Sequence, residues 1–256
     1  MKTSGNTILI TGGGSGIGAA LAQRFHALGN RVIVAGRRQD ALDAVTAGRE
    51  GMFGMVLDVE SAEGVEDFAS RLVTEHPTLN VLINNAGIMR FEALATRRDL
   101  SDAEATITTN LLGPIRLTNA LIDHLSAQTD AAIVNVTSGL AFVPLVDTPT
   151  YNATKAAIHS YTVSLRDALK GKVEVIELAP PAVQTGLTPG QENRPGYQPL
   201  GQFIDEVMAL FGQQPTPAEI LVERVKFLRN AEAEGRFDAT LLQLNERARA
   251  AREGQG

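Results

Sequence analysis

The sequence predicts an α/β fold of the doubly wound kind: a mostly parallel sheet with helices on both faces, built as a single domain over residues 1–256. Three observations carry that prediction. Short apolar runs alternate with stretches of helical periodicity along most of the chain. A glycine-rich loop, Thr11–Gly18, stands between the first apolar run, Ile8-Leu9-Ile10, and the first helical pattern, Ala19-Ala20-Leu21-Ala22. The 256 residues are 44% hydrophobic, enough for a large core at a length such folds often reach undivided.

The elements follow in order. The first helix runs over 19–28 and stops at Gly29-Asn30. Residues 31–35 form a buried strand, Gly36-Arg37-Arg38 a turn, and 39–47 a helix. A third strand over 51–57 ends at Asp58-Val59, and a helix over 61–75 closes at His76-Pro77. Val81-Leu82-Ile83 is the fourth strand and runs into Asn84-Asn85-Ala86-Gly87. Ser101-Asp102-Ala103-Glu104 has the form of a capping box, so a helix starts there and extends through Asn110 to about Leu125. Gly113-Pro114 falls inside it and should bend it. The fifth strand covers 131–136, a long helix ends near Leu169, and the sixth strand covers 173–178 before Pro180-Pro181. Residues 185–199 are rich in Gly, Pro, Gln and Asn, which marks 185–215 as a substrate loop or lid. Thr216-Pro217-Ala218-Glu219 reads as another helix start, and the tail, 238–256, is charged and helical.

Composition excludes several functions. A net charge of -6 argues against nucleic acid as a partner, because phosphate binding wants a basic face. With no cysteine there is no disulfide, thiolate nucleophile or thiolate metal site. His26, His76, His124 and His159 lack metal-ligand spacing, so no metal is expected. The N-terminal apolar run is too short for a signal peptide or a membrane span. The expectation is a cytoplasmic protein that engages no membrane.

Ligands of such sheets bind beyond the carboxyl ends of the strands. After the first strand, the glycine loop suits an anion at a helix N-terminus, although Gly12-x-x-x-Gly16-x-Gly18 departs from G-x-G-x-x-G, with Ile17 where the third glycine would fall. A plain glycine turn capping the helix is the competing reading. After the second strand, no acid awaits a ribose 2′-hydroxyl; Arg37 and Arg38 suit a 2′-phosphate, or are simply solvated. After the third, Asp58 either accepts an adenine amino group or caps a turn. Asn84 and Asn85 can tie neighbouring strands and face a ribose. Tyr151 and Lys155 are four apart and share one helix face, where an ammonium would lower the phenol pKa from about 10 and make an acid–base pair. The same spacing also occurs on ordinary exposed helices. Ser138, at the end of the fifth strand, offers a hydroxyl to a substrate oxygen.

In this order the motifs resemble the short-chain dehydrogenase/reductase family in its single-domain, Rossmann-type form: Thr11-Gly12-x-x-x-Gly16-x-Gly18, Asp58, Asn84-Asn85-Ala86-Gly87, Asn110, Ser138 and Tyr151-x-x-x-Lys155. The resemblance implies a tetrad in which Tyr151 protonates a carbonyl oxygen and Ser138 polarises it. Lys155 would bind the nicotinamide ribose and lower the tyrosine pKa, and Asn110, at an irregularity in its helix, would hold a water leading to Lys155. With Arg37 and Arg38 favouring NADP(H), the cofactor is expected to be held by Gly12, Gly14, Ser15, Gly16, Ile17 and Gly18, by Arg37 and Arg38, by Asp58 and Val59, by Asn85, Ala86 and Gly87, by Tyr151 and Lys155, and by Pro180, Val183 and Thr185. Two features depart from the pattern. Pro180-Pro181 replaces Pro-Gly, and no seventh strand is visible after Phe227, which puts a tetramer in doubt and leaves a homodimer through the fourth and fifth helices.

The function these residues imply is reversible reduction of a ketone or aldehyde by NADPH, on a small carbonyl or alcohol substrate. Phe91, Leu140, Phe142, Val143, Leu145, Tyr197, Met208 and Phe211 either wall an apolar pocket, with 142–145 foremost, or pack as lid and core. A non-catalytic dinucleotide-binding regulator of the same fold is the alternative, disfavoured by the complete tetrad. An enoyl reductase usually spaces Tyr and Lys further apart.

Overall fold

The structure, a computed structural model, describes residues 1–253. Its strands are β1 (Thr7–Thr11), β2 (Arg31–Gly36), β3 (Met52–Val56), β4 (Leu79–Asn84), β5 (Ala132–Val136), β6 (Glu174–Leu178) and β7 (Glu219–Ile220). They form one parallel sheet in the order β3-β2-β1-β4-β5-β6-β7. The chain moves outward from β1 in one direction, returns, and moves outward from β4 in the other. The switch between β1 and β4 opens a crevice at their carboxyl ends, where Ile10 pairs with Ile83.

Helices α1 (Gly16–Ala27), α2 (Gln39–Thr46), α3 (Ala62–Glu75), α4 (Ser101–Ile107), α5 (Gly113–Ser126), α6 (Pro149–Ala168), α7 (Leu200–Phe211), α8 (Glu223–Arg229) and α9 (Phe237–Glu253) complete the fold. Side chains alternate across each strand, so the sheet feeds two cores. Ile8, Ile10, Val32, Val34 and Ile176 pack with Leu21 and Phe25 of α1 and Phe203 and Phe211 of α7. Leu9, Ile33, Leu82 and Ile133 pack with Val65 and Leu72 of α3 and Leu117 and Leu121 of α5. Among the described residues no helix is long and apolar enough to cross a membrane.

Three expectations are corrected. Thr216–Glu219 does not begin a helix. Glu177 donates its N–H to Ala218 O, Ala179 donates to Ile220 O, and the segment becomes β7, the seventh strand that sequence reading missed. Ser101 does not cap α4; Leu100 precedes the helix, and Asp99 accepts the Ser101 N–H at 3.1 Å and its hydroxyl at 2.8 Å. The second half of the proposed lid is α7, whose Phe203, Ile204, Val207 and Phe211 are buried against the sheet. Phe211 meets Phe25 with ring centroids 5.6 Å apart.

Candidate active site

The glycine loop is shaped by two demands. Gly12 and Gly16 adopt φ of +64° and +53°, a region that favours glycine. Gly18 answers to space: a Cβ there would lie 2.5 Å from Asn85 Nδ2 and from Gly12 O. Ser15 precedes α1 without capping it by its side chain, so the first N–H groups of the helix keep no side-chain partner there. Ile17 packs against the core. Asn85 fixes the loop to β4: its N–H reaches Thr11 Oγ1 at 3.0 Å and its Nδ2 reaches Thr11 O at 2.9 Å. Its amide therefore faces the loop. Asn84 ties strands, donating to Asn135 Oδ1 at 2.9 Å and Thr118 Oγ1 at 3.2 Å.

A cleft runs from this loop along the carboxyl ends of the strands. Gly12, Gly14, Ser15, Arg37, Arg38, Asp58, Val59, Ala86 and Gly87 line it, and so do Glu60, Ile88 and Thr109, which sequence reading passed over. A residue after the third strand that faces back to Arg37 was a findable signal; Thr109 was not, because its place depends on a local change of helix. Asp58 Oδ1 accepts the Glu60 N–H at 3.1 Å, so its carboxylate shapes the turn while lining the cleft.

Between α4 and α5 the backbone widens into a π-helical turn over Thr108–Leu112. This brings Asn110 inward. Its Oδ1 accepts the Ile88 N–H at 2.8 Å, and its Nδ2 donates to Ile88 O at 2.8 Å and to Thr154 Oγ1 at 3.3 Å. Gly87 lies close by: a Cβ there would be 3.3 Å from Asn110 Oδ1 and 3.7 Å from Lys155 Nζ. Lys155 donates to Val136 O at 2.8 Å, with Nζ 5.6 Å from the Tyr151 ring centroid. Tyr151 hydrogen-bonds Ser138. Ser138 Oγ also accepts the Leu140 N–H at 3.1 Å. Asn110, Ser138, Tyr151 and Lys155 thus converge, all buried.

Burial governs the titration of this group. It pushes the Tyr151 phenol up to about 12, against a smaller downward pull from the Ser138 hydrogen bond. It pushes the Lys155 ammonium down to about 8. The lowered tyrosine expected from the i, i+4 spacing is therefore corrected: burial raises the phenol and outweighs the Ser138 hydrogen bond.

Beyond β6, Pro180 O accepts the Gly139 N–H at 2.8 Å, so this position acts through its carbonyl. Val183 is buried and bridges to Gln198. Thr185 abuts the glycine loop, 3.6 Å from where a Cβ on Gly16 would stand. The apolar wall expected at 142–145 is corrected in part. Val143 is fully buried, and Phe142 packs on His159 and under the Arg229 guanidinium. Met208 packs on the core, and Tyr197 stacks against Arg194.

Fold and site together define an α/β protein with a dinucleotide-type cleft and a buried Asn-Ser-Tyr-Lys cluster beside it. Residues 6–195 match the short chain dehydrogenase family, and this chain belongs to that oxidoreductase family. It is 39% identical over 249 residues to the uncharacterized oxidoreductase DltE of Bacillus subtilis (strain 168), covering 96% of this chain and 98% of that one. It is 33% identical over 184 residues to the serine 3-dehydrogenase of Rhizobium radiobacter, covering 71% and 74%. Among solved structures, a short-chain dehydrogenase from Streptomyces avermitilis shares the fold at a TM-score of 0.80 and 22% identity, over 96% of this chain and 98% of that one. The closed form of serine dehydrogenase complexed with NADP+ follows the chain at a TM-score of 0.74 and 25% identity, over 83% and 90%.

Proposed function

We propose that this protein is an NADP(H)-dependent carbonyl reductase, working reversibly on ketones or aldehydes and the matching alcohols. The observation that carries the reading is the buried Tyr151 hydroxyl, hydrogen-bonded to Ser138 beside Lys155, in a cluster that adjoins Gly87 on the lining of the cleft that starts from the glycine loop. The residues fit a dinucleotide: a side chain at Gly18 would fill the loop, and Arg37 and Arg38 stand where a 2′-phosphate would be met. When bound, that cofactor supplies the hydride that reaches the carbonyl carbon, or takes it up in reverse.

The chain's own residues handle the proton. Ser138 donates a hydrogen bond to the carbonyl oxygen and draws charge onto it. Tyr151 gives its proton to the same oxygen as the alcohol forms; with its pKa near 12 it is protonated at neutral pH, as an acid must be. Lys155, charged below about 8, stabilises the phenolate that remains. Asn110 holds Ile88, and through it the floor of the cleft. The setting is cytoplasmic, the substrate is a small carbonyl or alcohol and the assembly is a homodimer on this reading. Nothing in the cluster favours the non-catalytic alternative.

Tyr151→Phe removes the proton donor and keeps the ring. NADPH consumption on a ketone accepted by the wild type should fall at least about a hundredfold, the scale of a general acid's contribution, with NADPH binding retained. Undiminished turnover would sink the assignment.

A further inference from the structure

The two arginines at the far end of the cleft have different surroundings. Arg37 faces Glu60, with Nη1 3.6 Å from Oε1, and both residues line the cleft. Arg38 has Asp40 at 4.0 Å, and both of those side chains are more than two-thirds exposed, at 71% and 79%. Glu60 is not free to swing away. The same Oε1 accepts the Thr109 hydroxyl at 2.7 Å. Its N–H is held by Asp58 Oδ1 at 3.1 Å, and its carbonyl accepts Arg116 Nη1 at 2.9 Å. Thr109 is itself fixed by the π-helical turn, where the next residue, Asn110, grips both main-chain atoms of Ile88.

We propose that Glu60 is a specificity-determining residue for the cofactor: its carboxylate, pinned by Thr109, competes with an adenosine 2′-phosphate for Arg37 and so moderates the preference for NADP(H) over NAD(H). This rests on the reading of Arg37 and Arg38 as the phosphate-binding pair. A guanidinium already facing a fixed carboxylate gives up part of that attraction to engage a phosphate. Arg38, whose partner is solvated, gives up less. A ribose 2′-hydroxyl carries no charge, so the competition does not reach NAD(H).

The test is fluorescence titration with NADPH and NADH, which needs no carbonyl substrate. Glu60→Gln keeps an acceptor for Thr109 and removes the charge. It should tighten NADPH about two- to fivefold, the range set by an exposed ion pair, and leave NADH unchanged. In an Arg37→Ala background the same substitution should give a smaller gain. No gain, an equal gain for both cofactors, or a gain of the same size without Arg37 would each overturn the competition. Arg37→Ala with Arg38→Ala separates the two readings. If the pair weakens NADPH selectively while Glu60→Gln is silent, only the role of Glu60 falls. If the pair affects NADPH and NADH equally, the phosphate reading and the role of Glu60 fall together.

Discussion

The Tyr151 hydroxyl and the Lys155 ammonium share one buried space, and burial moves them in opposite directions, to about 12 and about 8. For Lys155 this has a consequence for stability. Its folded pKa lies below its ordinary 10.5, so its contribution is present above pH 10.5 and is lost as pH falls through about 8. At 1.36 kcal/mol per unit, that difference is roughly 3 kcal/mol. Lys155→Met removes the titration. Measured by denaturant unfolding, the wild type should gain on the variant between pH 8 and pH 10, below the range where the raised Tyr151 begins to cost stability. A gap that stays constant would show that Lys155 is solvated in the folded chain. The sequence displayed the pairing, because four residues make one helix face. It did not display the sign at Tyr151, because burial comes from β5, the π-helical turn and the loop after β4 closing around α6.

The start of α6 shows how one element depends on a distant one. Glu92 lies in the loop after β4 with its side chain 4% exposed. Its Oε1 accepts the Thr150 N–H at 3.1 Å; its Oε2 accepts the Thr150 hydroxyl at 3.0 Å and Arg98 Nη2 at 2.8 Å. Thr150 immediately precedes Tyr151, so a carboxylate fixes the first turn of the helix that carries the proposed acid. Burial pushes Glu92 up, but the bonds from Arg98 and Thr150 prevail and hold it below the ordinary carboxylate range. Its contribution is therefore present at neutral pH and lost as pH falls through that lowered value. Glu92→Ala should cost about 1–3 kcal/mol at pH 7, the penalty for orphaning buried partners, and the gap from wild type should close in acid. Urea unfolding at pH 7 and below pH 4 reads both; a gap as wide in acid as at neutrality would place the effect in packing instead. Elements built on local signals were legible in this way: Ser61 accepts the Gly64 N–H at 3.0 Å and starts α3 where its sequence placed it. The failures came where tertiary pairing overrode a local motif. Thr216–Glu219 carries helix-start chemistry, but Ala218 and Ile220 offer carbonyls to β6, and the ladder wins. Phe203, Ile204, Val207 and Phe211 had helical spacing, hidden by reading the Gly- and Pro-rich composition of 185–199 onward to 215.

At the scale of the whole molecule, a parallel sheet with helices on both faces was legible because apolar runs of the right length alternate with helices, whereas the strand order, set by long-range pairing, was not. The cleft follows from that order, since the switch point lies between β1 and β4. Among the apolar side chains left exposed, three lie on α4, the π-helical turn and α6. Ile107 is 41% exposed, Leu112 37% and Val163 48%. These segments adjoin one another and carry Asn110, Tyr151 and Lys155 on their inner sides, so a partner bound outside them would stiffen the proposed catalytic group without touching it. In the proposed homodimer this face meets its copy, which removes the three side chains from water. Sedimentation of the wild type should then give about twice the 27.2 kDa chain mass. Ile107→Asp with Val163→Asp places charges in the contact and should yield a monomer with an unchanged circular dichroism spectrum. A wild type that sediments as a monomer would refute the dimer. A variant that stays dimeric would move the contact to another face.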